Sequence, residues 1–275
     1  MFTVLTVEDR RKVAGIGKVL SSLSGNSLYL SRGEQGISYL RLVRRCEKIN
    51  WRRIGRAANK IGGKVVYTGG ASVGEDAGFV PFEPYGLRQR LCSNMAIELL
   101  SIMEDVPRRL RVGIYDPAGD FTDLPGFLLR YTDNLCVVTK NCGIYSTLAQ
   151  TIIDETGAVL RVSRSVSALS DCGLIISPVV IRERFTPLSS AVVLTSCKPK
   201  IYLPCSVYYR YSLRLPKEAA RLCPEDVDSE VFGGALYSLC GIYSLGSIVP
   251  FVCMNGENSQ TTLSLRKFLR EQFGT

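Results

Sequence analysis

From Arg111 to Ser196 the chain alternates short apolar runs with segments of helical periodicity. The apolar runs are Arg111–Tyr115, Leu135–Thr139, Ala158–Val162, Cys172–Ser177 and Ala191–Ser196. Between them lie helical patterns over Phe121–Tyr131, Ile144–Glu155 (ended by Gly157) and, shorter, Ser165–Ser170. Strands separated by helices at this spacing cannot be hairpins. They specify a parallel sheet joined by right-handed crossovers.

The flanks are less regular. Phe2–Val7 reads as a strand and Glu8–Leu23 as a helix through Val13, Ile16, Val19, Leu20 and Leu23. Gly25-Asn26 marks a turn before a short strand, Ser27–Leu30. A long helical region is expected over Ile37–Ile61, broken near Asn50, which would cap its second half. Gly62-Gly63 ends it. Lys64–Thr68 follows as a strand, Gly69–Gly78 as a small-residue loop, Phe79–Phe82 as a short extended piece and Gly86–Met103 as a helix. Pro107–Arg111 is a basic, proline-marked joint, which divides the chain into an N-terminal α/β domain, 1–106, and a second domain, 107–275. The second domain ends in a tyrosine-rich extended piece (Ile201–Leu215), a helix over Asp226–Leu239 and a final helix over Leu263–Phe273. Val231–Gly256 carries no charge. It is interrupted by Gly233, Gly234, Gly241, Gly246 and Pro250, so it fits a buried helix, a link and a core strand near Ile248–Cys253 better than a membrane span.

Composition restricts chemistry more than fold. There is no histidine among the 275 residues, so no Ser-His, Cys-His or His-ligated-metal mechanism is open to the chain. An acid or base would have to be Asp, Glu, Lys, Tyr or Cys; no catalytic residue stands out. The ten cysteines include no CxxC pair, which argues against structural zinc and leaves no metal site to expect. Met1–Val7 is too short an apolar run for a secretory signal, so a reducing, cytoplasmic setting with free thiols is expected. A formal net charge of +9 favours anionic partners.

Arg41, Arg44, Arg45 and Lys48 recur at helical spacing, and Arg52, Arg53, Arg56 and Lys60 follow them. Only Glu47 stands against them. The expectation is one basic face per helix, suited to an acidic protein or a phosphate-bearing partner, although such faces often serve only solubility. Tyr202, Tyr208, Tyr209 and Tyr211 beside Arg210 have the composition of a base-stacking surface, although alternating aromatics on a strand more often serve packing.

Leu135-Cys-Val-Val-Thr-Lys-Asn141, Leu148-Ala-Gln150, Gly157-Ala-Val159 and Ala168-Leu-Ser-Asp-Cys-Gly-Leu-Ile-Ile-Ser-Pro178 together resemble the NADP-binding Rossmann domain of shikimate-dehydrogenase-like proteins, over about residues 111–196. The resemblance implies an α/β fold in which an N-terminal α/β unit precedes a Rossmann-like parallel-sheet domain with a C-terminal helical extension. It also implies NADP as a cofactor, with Thr139 and Lys140 beside its ribose phosphate and Ser177 near the nicotinamide. The first turn departs from the pattern. It runs Gly113-Ile-Tyr-Asp-Pro-Ala-Gly-Asp-Phe-Thr-Asp123, with a single suitable glycine, Gly119, and with Asp116, Asp120 and Asp123 where a pyrophosphate would sit. The family's lysine–aspartate catalytic pair has no counterpart before residue 110. Two readings therefore stand: a non-catalytic or degenerate Rossmann-like interaction or ligand-sensing module, or an NADP-dependent oxidoreductase.

Overall fold

A computed structural model describes residues 1–9, 25–34, 36–61, 64–103, 105–240, 248–256 and 258–274. The chain divides into two compact units, Met1–Pro84 with Leu215–Gly241, and Tyr85–Arg214 with Ile242–Thr275.

The first unit is built on a four-stranded sheet. Its strands are β1 (Phe2–Asp9), β2 (Ser27–Arg32), β3 (Ile37–Arg44) and β4 (Lys64–Val66), in the order β2-β3-β1-β4. β1 runs parallel to both β3 and β4, and β2 is antiparallel to β3. Alternation sends successive side chains to opposite faces. Phe2, Val4, Ile37 and Val66 pack with Phe232, Ala235 and Leu236 of a helix, Ser229–Cys240. Leu5, Leu40, Leu42 and Val65 pack on the other face with Trp51, Ile54 and Ala58 of helix α1 (Trp51–Ile61). Asn50 caps α1, its side-chain oxygen accepting from Arg53 N at 3.0 Å.

The helix expected over Ile37–Asn50 is not formed; its first eight residues are β3. Helix propensities there differ from the best by only about 0.5 kcal/mol per residue. Pairing with β1 on one side and β2 on the other satisfies the backbone of the whole segment, so tertiary context wins. Likewise Glu8 and Asp9, expected to open a helix, close β1; the rest of that expected helix, and Gly62-Gly63, lie outside the described residues.

The second unit carries a six-stranded, wholly parallel sheet: β5 (Val112–Tyr115), β6 (Leu135–Val138), β7 (Arg161–Ser163), β8 (Leu174–Ser177), β9 (Val192–Thr195) and β10 (Ser206–Tyr208). Their spatial order is β10-β9-β8-β5-β6-β7. Counted from β5, that is the doubly wound order 3-2-1-4-5-6 of a Rossmann fold. The fold is thus α/β with a Rossmann-like sheet. Helix α2 (Tyr85–Ser101) packs on β8 and β9, α3 (Leu124–Leu128) links β5 to β6, and α4 (Cys142–Thr156) links β6 to β7. Gly157 ends α4 in the left-handed region, at φ 72°. The contact division falls at Pro84–Tyr85, ahead of the joint expected at Pro107, because α2 packs on this sheet.

After the sheet, a three-stranded antiparallel ribbon forms from β11 (Arg210–Ser212), β12 (Val252–Met254) and β13 (Ser259–Thr261). Short helix α5 (Lys217–Leu222) and α6 (Ser229–Cys240) belong to the first unit, and α7 (Thr262–Phe273) packs on α2 in the second. Of the uncharged stretch, α6 forms as expected, the strand expected near Ile248–Cys253 forms only over Val252–Met254, and residues 241–247 lie outside the described residues. Among the described residues no helix is long and apolar enough to cross a membrane.

Candidate functional site

In a doubly wound sheet ligands bind outside the carboxyl ends of the strands where the strand order reverses. Here that switch point lies between β5 and β8. The chain leaves β5 through Asp116, which is fully buried. A buried carboxylate needs partners, and this one has four. Oδ1 accepts from Gly119 N at 3.0 Å and Asp120 N at 3.1 Å. Oδ2 accepts from Phe121 N at 2.9 Å and the Tyr145 hydroxyl at 2.7 Å. Gly119 reaches this geometry at φ +83°, where a side chain would be strained. The Tyr145 phenol is held strongly neutral, first by burial and then by the Asp116 charge it donates to.

These donors matter because of where they sit. The backbone amides of the first turn are what a Rossmann domain offers to pyrophosphate. Here they converge on the chain's own carboxylate. Asp123 precedes α3 without a side-chain cap bond and pairs with Arg90 at 3.2 Å.

The β6 exit is tied to the same turn. Lys140 N donates to Pro117 O at 3.1 Å, and the Asn141 side-chain amide donates to Ala118 O at 3.3 Å. Thr139 is buried and accepts from Asn141 N, so its hydroxyl oxygen faces its own loop. The Lys140 ammonium sits 3.1 Å from Glu183 Oε1. The Tyr115 hydroxyl donates to the same oxygen at 3.2 Å. Burial, with the Glu183 charge second, pushes the Tyr115 phenol up to about 12. Ser177, at the end of β8, is buried and donates to Val179 O at 2.6 Å. The structure therefore brings Asp116, Gly119, Thr139, Lys140 and Ser177 to one edge of one sheet, with the polar side chains among them committed to internal partners. Two central residues had no marker in the sequence. Tyr145 looked like an ordinary helical aromatic, and Glu183 lies in an irregular stretch with no period to flag it.

The basic residues lie in the first unit. On α1, Arg52, Arg53, Arg56 and Lys60 are exposed opposite buried Trp51, Ile54, Gly55 and Ala58, which makes a clean two-faced helix. Arg52 approaches Asp76 at 3.8 Å. The helical face expected from Arg41, Arg44, Arg45 and Lys48 does not exist. Arg41 and Arg44 belong to β3, where they pair with Glu8 and with Asp9 on β1. Arg45 and Lys48 lie on the link to α1. Among the described residues no cluster of His, Cys, Asp or Glu is placed to hold a metal ion, and Cys46, Cys92, Cys136, Cys142, Cys172, Cys197, Cys205, Cys223 and Cys253 are free thiols.

No family model matches the chain, and no curated protein matches it. Among solved structures, L-tryptophan dehydrogenase from Nostoc punctiforme aligns with 88% of this chain and 75% of its own, at 11% identity and a TM-score of 0.28. A likeness that slight carries no argument, and the fold rests on the strand order itself.

Proposed function

We propose that this chain is a degenerate Rossmann-like protein that serves as an interaction or ligand-sensing module and does not catalyse a dinucleotide reaction. The observation behind this is the Asp116 carboxylate, which already holds the three first-turn amides and the Tyr145 hydroxyl. A pyrophosphate brought to that turn would find those donors taken. It would also face a like charge, worth about 4 kcal/mol at 4 Å and an effective dielectric of 20. The exposed face of α1 supplies a contact surface, with Arg53, Arg56 and Lys60 offered to an acidic protein or phosphate-bearing partner.

The competing reading is an NADP-dependent oxidoreductase of shikimate-dehydrogenase-like type. Its support is Lys140, the cation at the exit of the second strand, where a 2′-phosphate would be read. Glu183 partners that lysine and would repel the phosphate.

Thermal unfolding with NADPH, NADP and NADH separates the two. The module reading expects no shift at millimolar dinucleotide. A dehydrogenase would gain about 2.7 kcal/mol at a hundredfold excess over its dissociation constant. Saturable stabilisation by NADPH that is lost in Lys140→Ala would overturn the module reading.

A further inference from the structure

A second feature of the sheet's carboxyl edge lies away from the Asp116 turn, at the exits of β8 and β9. Lys200 N donates to Ile181 O at 3.1 Å, which holds the two exit loops side by side. Between them opens a groove lined by Arg184, Phe185, Thr186, Lys200, Ile201 and Tyr202. Phe185 packs at its base on the hydrophobic cluster that includes Ile175 and Val193. Tyr202 stands out into solvent, 87% exposed. Arg184 and Lys200 are both exposed, as is Lys198 just before them, and among the described residues none of the three is ion-paired.

The positive charge extends along the edge. Arg164 follows the end of β7, while Lys140, after β6, is paired with Glu183. From β7 to β9 the sheet takes four strand spacings, about 19 Å at roughly 4.8 Å each. A single phosphate cannot engage cations over that distance; a chain of phosphates can. The acids on this edge leave the β8–β9 end the most positive. Asp116 is internally bound, Glu183 is paired with Lys140, Asp123 is paired with Arg90, and Asp120 lies on the β5 exit. A cationic groove with an exposed aromatic ring is the combination that holds a single strand, phosphates on the cations and a base on the ring. A duplex has its bases stacked inside and offers Tyr202 nothing.

We propose that the groove between the β8 and β9 exits binds single-stranded nucleic acid, with phosphates on Arg184, Lys198 and Lys200 and a base stacked on Tyr202. The site stands whether or not the β5 turn admits a dinucleotide, because it uses none of the same residues.

Fluorescence anisotropy of the full chain with labelled oligothymidylate and oligouridylate of about twelve nucleotides tests it, since such a length exceeds most single-domain site sizes. Three phosphate contacts would weaken binding roughly 20-fold between about 50 and 200 mM salt. Arg184→Glu with Lys200→Glu should weaken it at least tenfold, and should flatten the salt dependence by about 1.4 in log–log slope. Tyr202→Ala should cost about tenfold on an oligonucleotide and nothing on inorganic polyphosphate, which has no base to stack. Thermal midpoints of these surface variants should equal that of the parent protein. No binding at the lowest salt would overturn the proposal. So would binding unchanged by the Arg184/Lys200 pair, which would move it to another basic surface. A Tyr202→Ala variant without effect would reduce the groove to a general polyanion surface. Displacement of the oligonucleotide by micromolar NADPH would assign the groove to a dinucleotide.

Discussion

The Asp116 carboxylate makes the turn after β5 a structural joint. A turn of amides without an anion is unsatisfied, and a buried carboxylate without donors is costlier still. Placing the two together removes both costs at once. The joint should therefore be stiff and stabilising. Removing the carboxylate in Asp116→Ala strands three amides and the Tyr145 hydroxyl. We expect a loss of about 3–5 kcal/mol in denaturant unfolding, since bonds to a charged acceptor contribute about 1.5–3 kcal/mol each and not all of them will be left dry. Tyr145→Phe removes one such bond and should cost about 1.5–3 kcal/mol. A loss below about 1 kcal/mol for the alanine variant would mean that water replaces the carboxylate without penalty, and the turn would then be open to an outside anion.

At the scale of elements, α1 shows packing overriding propensity. Gly55 sits on its buried face, where an added Cβ would collide with the Ala77 carbonyl oxygen. By helix propensity alone, Gly55→Ala should stabilise by roughly 1 kcal/mol. Against that, the methyl group must push α1 off the short helical turn Glu75–Ala77, and overpacking of this kind costs about 1–3 kcal/mol or more. The clash is with backbone, which cannot rotate away, so the second effect wins. The expected outcome is net destabilisation, up to about 2 kcal/mol in urea. A stabilised Gly55→Ala protein would show that α1 does not pack as closely as its glycine permits. The outer face of the same helix should tolerate charge reversal at Arg53, Arg56 and Lys60 within about 0.5 kcal/mol, because those side chains are solvated.

At the scale of the whole molecule, the chain is interleaved. The first unit takes its second helical layer from residues 215–241, after the chain has built the Rossmann-like sheet. Phe232, Ala235 and Leu236 cover Phe2, Val4, Ile37 and Val66. Cutting the chain at residue 106 leaves that sheet face bare. Fully burying side chains of this size is worth about 1.5–3 kcal/mol each, and a domain's entire stability is commonly 5–15 kcal/mol. A fragment of residues 1–106 should consequently fail to fold cooperatively, binding a hydrophobic dye and lacking near-ultraviolet dichroism. A fragment that unfolds in one sharp transition would show that the first unit does not depend on residues 215–241.

The four central strands of the parallel sheet were legible because they are buried on both faces and read as unbroken apolar runs, as at Leu174-Ile-Ile-Ser177 and Val192-Val-Leu-Thr195. The helices between them were legible from their period, and Gly157 from its need for positive φ. The absence of histidine by itself removes whole classes of chemistry. The sequence also placed three aspartates and Lys140 at strand exits. It did not say what they meet. Whether Asp116 repels a ligand or replaces one depends on three amides and on Tyr145, which lies 29 residues further along the chain. Whether Lys140 is free depends on Glu183, 43 residues away in an irregular loop. The strand at Ile37–Arg44 is the same lesson in backbone form. Its basic spacing fits a helix as well as a strand, and only the neighbours on either side choose. Local pattern follows from local sterics and period, so the sequence carries it. Pairings between distant residues follow from which surfaces the fold brings together, and those are decided only when the chain closes.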